Sequence, residues 1–315
     1  MISKKLSKIG KSSTMLILPK SWLDHTNLHP GDTVFINPQE TDLIISSEYA
    51  PKTDRTTIAM KEFDKSELER EIIGAYIAGY DEILIKTSEI SRYSATITKV
   101  TRFLSGAEVL SETGDETLIK CILQPTEVSI SGIIKRMKYL VDQMLGASKD
   151  TIMTEGEENI RAMEDNVDRL FFLGTRFLNK ALYDPTFISK LGIRRGDIVA
   201  NQKTIENLEK IADYSMKIKR ELDNVKKKNA QRACQMLEDS RKLLDVALES
   251  FLDRDKNKAH EVFSIYEGFH KKRDFAINEL SAEERGSPSG VIVFYYCSRV
   301  GHIALNIAET TFDLR

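Results

Sequence analysis

The sequence has little of several residue types that mark particular classes of protein. Its 315 residues include three cysteines, one tryptophan and seven prolines. Cys121, Cys234 and Cys297 form no CxxC motif and lack the pairing of a disulfide framework, which fits a reducing cytoplasm. No apolar run approaches the 18 or more residues of a membrane span, and no signal peptide is recognisable. We therefore expect a cytoplasmic protein with no membrane insertion.

The chain also lacks an excess of charge of either sign. Its 46 basic and 48 acidic residues leave a formal net charge of −2, which by itself argues against a nucleic-acid binder. The charge is unevenly distributed, however. Residues 1–23 contain five lysines and no acid, whereas residues 24–50 contain five acids and no lysine or arginine. Nucleic-acid binding therefore remains open, but only for the N-terminal segment.

The first fifty residues predict a small β domain. Residues 2–18 are rich in Ser, Thr and β-branched residues and are interrupted by Gly10-Lys11-Ser12-Ser13, which predicts strand, turn, strand. Further strands are predicted after the turn at Pro30-Gly31-Asp32 and at Asp42–Ser46. Four short strands give too small a core to be stable alone. Since two copies would need to share one core, we expect a homodimer.

This segment resembles a known family of DNA-binding domains. The residues SKIGKSSTMLILPK (Ser7–Lys20) and HPGDTV (His29–Val34) are similar to the AbrB/SpoVT family, whose swapped-hairpin β domains form intertwined homodimers on DNA. The resemblance implies a DNA-binding domain over residues 1–50. Lysines serve phosphate better than guanine, so we expect modest sequence specificity. The implied DNA contacts are Lys4, Lys5, Lys8, Lys11, Ser12, Ser13 and Lys20.

An alternative explanation of these lysines needs no DNA. Lysines also solvate strand edges and prevent edge-to-edge aggregation. In that case the N-terminal domain would serve only for dimerisation.

Residues 51–125 predict a small α/β module. The pattern indicates strand, helix, strand, helix and a final hairpin, which suggests a two-layer module like a ferredoxin-type fold. It contains no Gly-rich phosphate loop and no catalytic grouping. The module could sense a ligand, but a spacer is the simpler interpretation.

From residue 126 to residue 315 the pattern becomes helical. Two segments, Glu206–Ile218 and Tyr295–Ile307, align without gaps at an offset of 89 residues, which indicates two copies of a three-helix unit. We expect a pair of three-helix bundles. The six predicted helices are Thr126–Gly146, Glu155–Tyr183, Val199–Val225, Asn229–Leu252, Asp255–Leu280 and Val291–Leu314.

This helical half resembles the PhoU family of phosphate-uptake regulators, which are built from two repeated three-helix bundles. The residues that carry the resemblance are EDNVDRLFFL (Glu164–Leu173), NLEKIADYSMKI (Asn207–Ile218) and RVGHIALNIAE (Arg299–Glu309). Together with the N-terminal motifs, they look like an archaeal type of protein that combines AbrB-like and PhoU-like domains.

Two pairs of acids match the metal-binding E(D)xxxD motifs of that family. Glu164 and Asp168 lie four residues apart in one predicted helix, and so do Glu209 and Asp213 in another. Positions i and i+4 share a helix face about 6 Å apart. The resemblance implies that the four carboxylates hold Fe, Mn, Mg or Zn ions. The alternative is that they are simply part of a solvated face.

The second repeat departs from this pattern. Ser298 and His302 align with the acid pair of the third bundle helix, and a tentative offset of 102 residues places Tyr266 and His270 opposite the other pair. His270 and His302 thus replace both aspartates. One interpretation is a weaker, nitrogen-rich metal site of the kind that suits Zn; the other is a degenerate site with surface histidines.

The combined hypothesis is a homodimeric cytoplasmic regulator of phosphate-uptake genes or of the phosphate transporter. DNA would bind the N-terminal domain, and metal or a partner would bind the bundles. The alternative is an adaptor that docks on a transporter ATPase or a sensor kinase. No HExxH, GxSxG or P-loop motif occurs, so we do not expect an enzyme.

Overall fold

The computed structural model describes most of the chain, in eight stretches. It divides the chain into two compact units, Met1–Lys52 and Thr53–Arg315. The border predicted between residues 125 and 126 falls within the second unit. Thr126, the predicted start of the first bundle helix, lies outside the described residues. The described residues are 3–38, 43–47, 54–59, 64–123, 128–148, 155–222, 224–280 and 288–314.

The first unit consists of two hairpins and a short helix. The predicted strand, turn, strand near the N-terminus is confirmed: β1 pairs antiparallel with β2, and Gly10 takes the positive φ of 63° that the turn requires. Strands β3 and β4 also pair antiparallel. The bounds are β1 (Ser7–Ile9), β2 (Ser13–Met15), α1 (Lys20–Thr26), β3 (Phe35–Pro38) and β4 (Leu43–Ser46).

No residue of the first unit whose burial is described is buried. Several large apolar side chains are exposed instead, and isolated two-stranded hairpins are marginally stable at best in water. The described part of this unit therefore lacks a core of its own. These exposed side chains are Leu6, Ile9, Met15, Leu16, Ile17, Ile36 and Leu43.

The second unit begins with the α/β module, whose strand and helix order is as predicted. The sheet order is β5-β6-β8-β7, and β5 lies directly beside the parallel β6. This topology differs from the predicted ferredoxin-type fold, because that fold places another strand between its two parallel strands. The bounds are β5 (Arg55–Ala59), α2 (Lys65–Ala78), β6 (Glu82–Lys86), α3 (Ser94–Phe103), β7 (Ala107–Glu112) and β8 (Glu116–Cys121).

All six long helices predicted for the remainder are present, and α5 has the predicted bounds. A short helix, α6, was not predicted; Pro185 starts it, as proline often does at the first helical position. The bounds are α4 (Ile130–Ala147), α5 (Glu155–Tyr183), α6 (Pro185–Leu191), α7 (Ile198–Leu222), α8 (Lys227–Asp253), α9 (Lys256–Asn278) and α10 (Pro288–Phe312).

The long helices form two three-helix bundles that share one core. Helices α4, α5 and α7 pack together, as do α8, α9 and α10, and the bundles meet chiefly along α7 and α10. Their buried apolar side chains make one continuous cluster. A bidentate ion pair joins α4 to α8, since Nε and Nη2 of Arg241 donate to the carboxylate of Asp142 at 2.9 Å each.

Helix α10 is long and apolar enough to cross a membrane by length and composition alone. Its Val291–Phe312 segment has a mean hydropathy of 1.3 over its best window, although polar residues interrupt every apolar run in it. Since α10 packs against α7, α8 and α9, 56% of that window is buried. Packing in a bundle core is thus sufficient to explain its apolar composition.

A buried arginine joins the α/β module to the first bundle. Arg176 of α5 is 4% exposed, and its Nη1 donates to the backbone oxygens of Tyr76 and Tyr80 at 2.8 Å each. Its Nη2 donates to Asp81 at 3.3 Å, and Lys180 contacts the same carboxylate. Tyr76 lies in the last turn of α2 and Tyr80 just after its end, where carbonyls lack the regular i+4 N–H partner of a helix interior. The α/β module is therefore anchored to the bundle by polar contacts as well as by packing.

Glycines allow close helix contacts in each bundle. A Cβ atom at Gly301 of α10 would lie 2.5 Å from Cε1 of Phe269 in α9, and one at Gly174 of α5 would lie 2.7 Å from Cδ1 of Ile205 in α7. Both distances are too short for ordinary contact. The glycines therefore set how closely each helix pair approaches.

The variant Gly301→Ala should be less stable than the parent by about 1–3 kcal/mol, because the methyl group overpacks a core in which Phe269 is 3% exposed. Urea unfolding measures the difference. The matched control is Gly268→Ala, where nothing lies within 4 Å of the new Cβ and alanine should instead stabilise the helix. Equal effects of the two variants would contradict the close contact.

Candidate functional site

The four predicted carboxylates lie along one side of the α5–α7 pair. Glu164 and Asp168 lie on α5, Glu209 and Asp213 lie on α7, and all four are partly buried. The buried apolar positions beside them pack the two helices together, so the acids occupy the rim of that interface. The flanking buried residues are Ile160, Val167, Leu208 and Ile211.

The acids influence one another electrostatically across the two helices. Burial, followed by the charges of Glu209, Glu164 and Asp213, raises the pKa of Asp168 to about 7. Burial and then Asp213 raise the pKa of Glu164, and the same two causes raise the pKa of Glu209. Acids of α7 thus contribute to the raised pKa of both acids of α5, and Asp213 contributes to the raised pKa of Glu209 on its own helix. The structure therefore brings all four predicted residues into one cluster in which negative charge is unfavourable.

Basic side chains border this cluster. Nζ of Lys217 lies 3.5 Å from Oδ2 of Asp213, and Arg161 acts on Glu164 in the sense that lowers its pKa. A cavity of about 500 Å³ lies beside the cluster. It is lined in part by Ile160, Arg161, Glu164, Asp213, Met216 and Lys217. We call this region, with its four acids, the carboxylate groove.

The carboxylate groove offers the oxygen ligands that a hard cation prefers, but its side chains do not converge on one point. Oxygen donors of this kind favour Mg, Mn and Fe. Burial is the main cause of the raised pKa of Asp168, and a cation would offset the further contribution of the neighbouring carboxylates. However, among the described residues no three His, Cys, Asp or Glu side chains lie close enough together to hold a metal ion. The acids must therefore change rotamer to converge on one ion.

The second bundle brings the counterpart positions together with different chemistry. Oη of Tyr266 lies 3.2 Å from Nδ1 of His302. Nη2 of Arg273 lies 3.2 Å from Nδ1 of His270, and its Nη1 donates to Oγ of Ser298 at 3.3 Å. The four counterpart residues of α9 and α10 thus meet in one groove, as the two sequence offsets predict. We call the region of these five residues and Arg299 the basic groove.

The basic groove is poorly suited to a metal cation. Burial and the charge of Arg299 lower the pKa of His302, so a positive charge there is disfavoured. Arg273 adds a second permanent cation beside His270. This arrangement weighs against the nitrogen-rich metal site at His270 and His302. The sequence reasoning missed both arginines, although Arg273 lies one helical turn after His270 and was a detectable signal.

The residues assigned to DNA are all exposed. The hairpin of β1 and β2 and its turn carry Lys8, Lys11, Ser12 and Ser13, while Lys20 begins α1. Lys4 and Lys5 precede β1 and are exposed as well. All seven side chains are thus accessible to solvent in the single chain.

Comparison with known proteins reveals one distant similarity. No known protein family matches the chain, and neither does any curated protein. Among solved structures, PhoU from Pseudomonas aeruginosa is similar, with 14% identity over 58% of this chain and 93% of that chain and a TM-score of 0.45. A likeness this distant carries no information about ligands or partners.

The variant Asp168→Asn should be more stable than wild type at pH 8, because it removes a carboxylate whose ionised form is disfavoured in the folded protein. The gain should be about 1–2 kcal/mol, since solvent screens part of this penalty at a half-exposed side chain. The folded pKa of about 7 exceeds the unfolded value of 3.8, so wild-type stability falls as pH rises between these values. The gain should therefore vanish below about pH 4. Denaturant unfolding across this range measures it. The exposed Glu261→Gln serves as control, and an equal gain at pH 4 and pH 8 would contradict the cluster.

Proposed function

We propose that the chain is a homodimeric regulator of phosphate uptake that binds DNA through its first unit and a divalent or ferric cation in the carboxylate groove. The observation that carries the cation is that four partly buried carboxylates line one side of the α5–α7 pair, where burial and then the neighbouring carboxylates raise the pKa of Asp168 to about 7. It marks a position where the folded protein gains from added positive charge.

The case for a homodimer rests on the first unit. Its described residues include exposed apolar side chains on both hairpins and none that is buried. Small domains with so little core need oligomerisation, a metal or disulfides. A second copy offers the same apolar residues, so an intertwined pair would bury both sets. The motifs Ser7–Lys20 and His29–Val34 support the AbrB-like form of that pairing.

The case for DNA rests on the charge and exposure of the same unit. The seven residues assigned to DNA, five lysines and two serines, are all exposed; six lie in or just before the β1–β2 hairpin, and Lys20 begins α1. Dimerisation would double this positive surface. Backbone phosphates are the ligands that lysine and serine side chains commonly contact in DNA.

The assignment to phosphate uptake rests on the resemblance of the helical motifs to the PhoU family. The cation would bind through Glu164, Asp168, Glu209 and Asp213, and its effect on the α5–α7 pair would reach the α/β module through Arg176 of α5. Regulation requires that the cation bind two states of the protein with different affinity.

A second candidate is an adaptor that docks on a transporter ATPase or a sensor kinase. The observation that favours it is the edge of the sheet in the second unit. Strand β7 lies at the end of the sheet order, and Leu110 on that strand is 61% exposed. Val109 on the same strand is 37% exposed. An exposed strand edge with apolar residues is a surface that partner proteins can extend.

Electrophoretic mobility shifts with DNA separate the two candidates. If a dimer neutralises about 6–10 phosphates, its affinity should fall about 10³–10⁵-fold between 50 and 200 mM salt. The double variant Lys8→Gln, Lys11→Gln should bind more weakly and with a smaller salt dependence. Lys86→Gln, Lys99→Gln in the α/β module is the matched control. A dimer that shifts no DNA at 50 mM salt would favour the adaptor.

Metal analysis tests the cation. The variant Asp213→Asn should bind Mn²⁺ about 10–100-fold more weakly than wild type, because it removes a charged ligand. His302→Ala is the control and should leave the Mn²⁺ stoichiometry unchanged, since the basic groove disfavours cations. Calorimetric titration with Mn²⁺ measures both. An unchanged affinity and stoichiometry in Asp213→Asn would rule out the carboxylate groove as the metal site.

A further inference from the structure

The basic groove concentrates positive charge and hydrogen-bond donors in a partly buried place. Arg273 of α9 and Arg299 of α10 are both partly buried, and Ser298 between the helices is 8% exposed. The hydroxyl groups of Ser298 and Tyr266 already contact members of the groove at 3.2–3.3 Å. Guanidinium and hydroxyl donors arranged together are characteristic of sites that bind oxyanions.

One nitrogen of this groove lacks an acceptor. Nε of Arg299 is buried and has no hydrogen-bond partner among the described residues. Buried donors without acceptors are rare, because the lost hydration is not replaced. Arg299 follows Ser298 directly and lies one helical turn before His302 on α10, and its charge acts on both His302 and Tyr266. An acceptor in the groove would therefore remove a cost that the protein alone leaves unmet.

An acidic side chain already uses part of the groove. Asp274 accepts from Nε and Nη2 of Arg273 at 3.0 and 2.6 Å, and its Oδ2 lies 3.4 Å from Nδ1 of His270. Its side chain is 52% exposed and next to Arg273 in sequence, so it can swing into solvent without moving the helix. The Asp274 carboxylate therefore occupies the position beside Arg273 and His270 that the oxygen atoms of an external anion would take.

We propose that the basic groove binds a small tetrahedral oxyanion of the phosphate type. Arg273 and Arg299 would supply the charge, and Ser298 and Tyr266 the hydroxyl donors. A phosphate dianion carries more charge and more acceptor oxygens than the Asp274 carboxylate, so it can displace that side chain and also reach Nε of Arg299. This site is separate from the carboxylate groove and does not depend on the regulatory role proposed above.

Calorimetric titration of the full chain with inorganic phosphate, in a phosphate-free buffer, tests the proposal. Arg273→Gln should weaken binding about tenfold or more, since it removes charged hydrogen bonds. Asp274→Asn should strengthen binding, because it removes the competing carboxylate while leaving Arg273 in place. Lys272→Gln is the matched control: it removes one positive charge from the adjacent position, where Lys272 is 64% exposed and pairs with Asp239.

Circular dichroism of each variant establishes that it folds. If Arg273→Gln does not fold, the comparison of Asp274→Asn with wild type still decides the question. The proposal is overturned if neither wild type nor Asp274→Asn binds phosphate saturably. It is also overturned if Asp274→Asn binds no more tightly than wild type, or if Lys272→Gln weakens binding as much as Arg273→Gln does.

Discussion

The close approach of two helices in each bundle is the constraint on which both grooves depend. In the first bundle Gly174 lets α5 pack against Ile205 of α7, and in the second Gly301 lets α10 pack against Phe269 of α9. Residues four apart on one helix then face residues four apart on the other. A side chain at Gly301 would clash with three ring atoms of Phe269 and disturb the α9–α10 contact, whereas one at Gly174 would first displace the end of the Ile205 side chain.

The two grooves share this scaffold but have opposite charge. In the first, four acids meet and the pKa of Asp168 rises to about 7. In the second, Tyr266, His270, Ser298 and His302 occupy the corresponding positions beside two arginines. The repeat therefore preserves helix packing while its polar residues diverge. Similar folds can thus present sites for ligands of opposite sign, because the site depends on side chains and not on the backbone arrangement alone.

The sequence predicted most of the helical fold because the apolar periodicity of the long helices is strong. It predicted α5 to the residue and the element order of the α/β module. It did not predict that β5 and β6 are neighbours, because strand pairing depends on contacts distant in sequence. Similarly, helical spacing placed Glu164 with Asp168 and could have placed Arg273 beside His270, but the contact of Arg273 with Ser298 depends on how α9 packs against α10.

The first unit was the hardest to derive, because its described residues contain no core from which to argue. Its apolar side chains are exposed in the single chain, so the homodimer remains a prediction of the exposure pattern and of the family resemblance. In the second unit, by contrast, the buried contacts of Arg176 connect the α/β module to α5. A ligand that moved α5 would therefore act on the α/β module through these contacts.

The central claim is that one scaffold carries a cation groove and an anion groove. The most direct measurement is anomalous diffraction from crystals soaked with Mn²⁺ and tungstate, a heavy tetrahedral oxyanion. The account predicts a manganese peak between α5 and α7, near Asp168 and Asp213, and a tungsten peak between α9 and α10, near Arg273 and Arg299. Both peaks in one groove, or neither ion in its assigned groove, would contradict it.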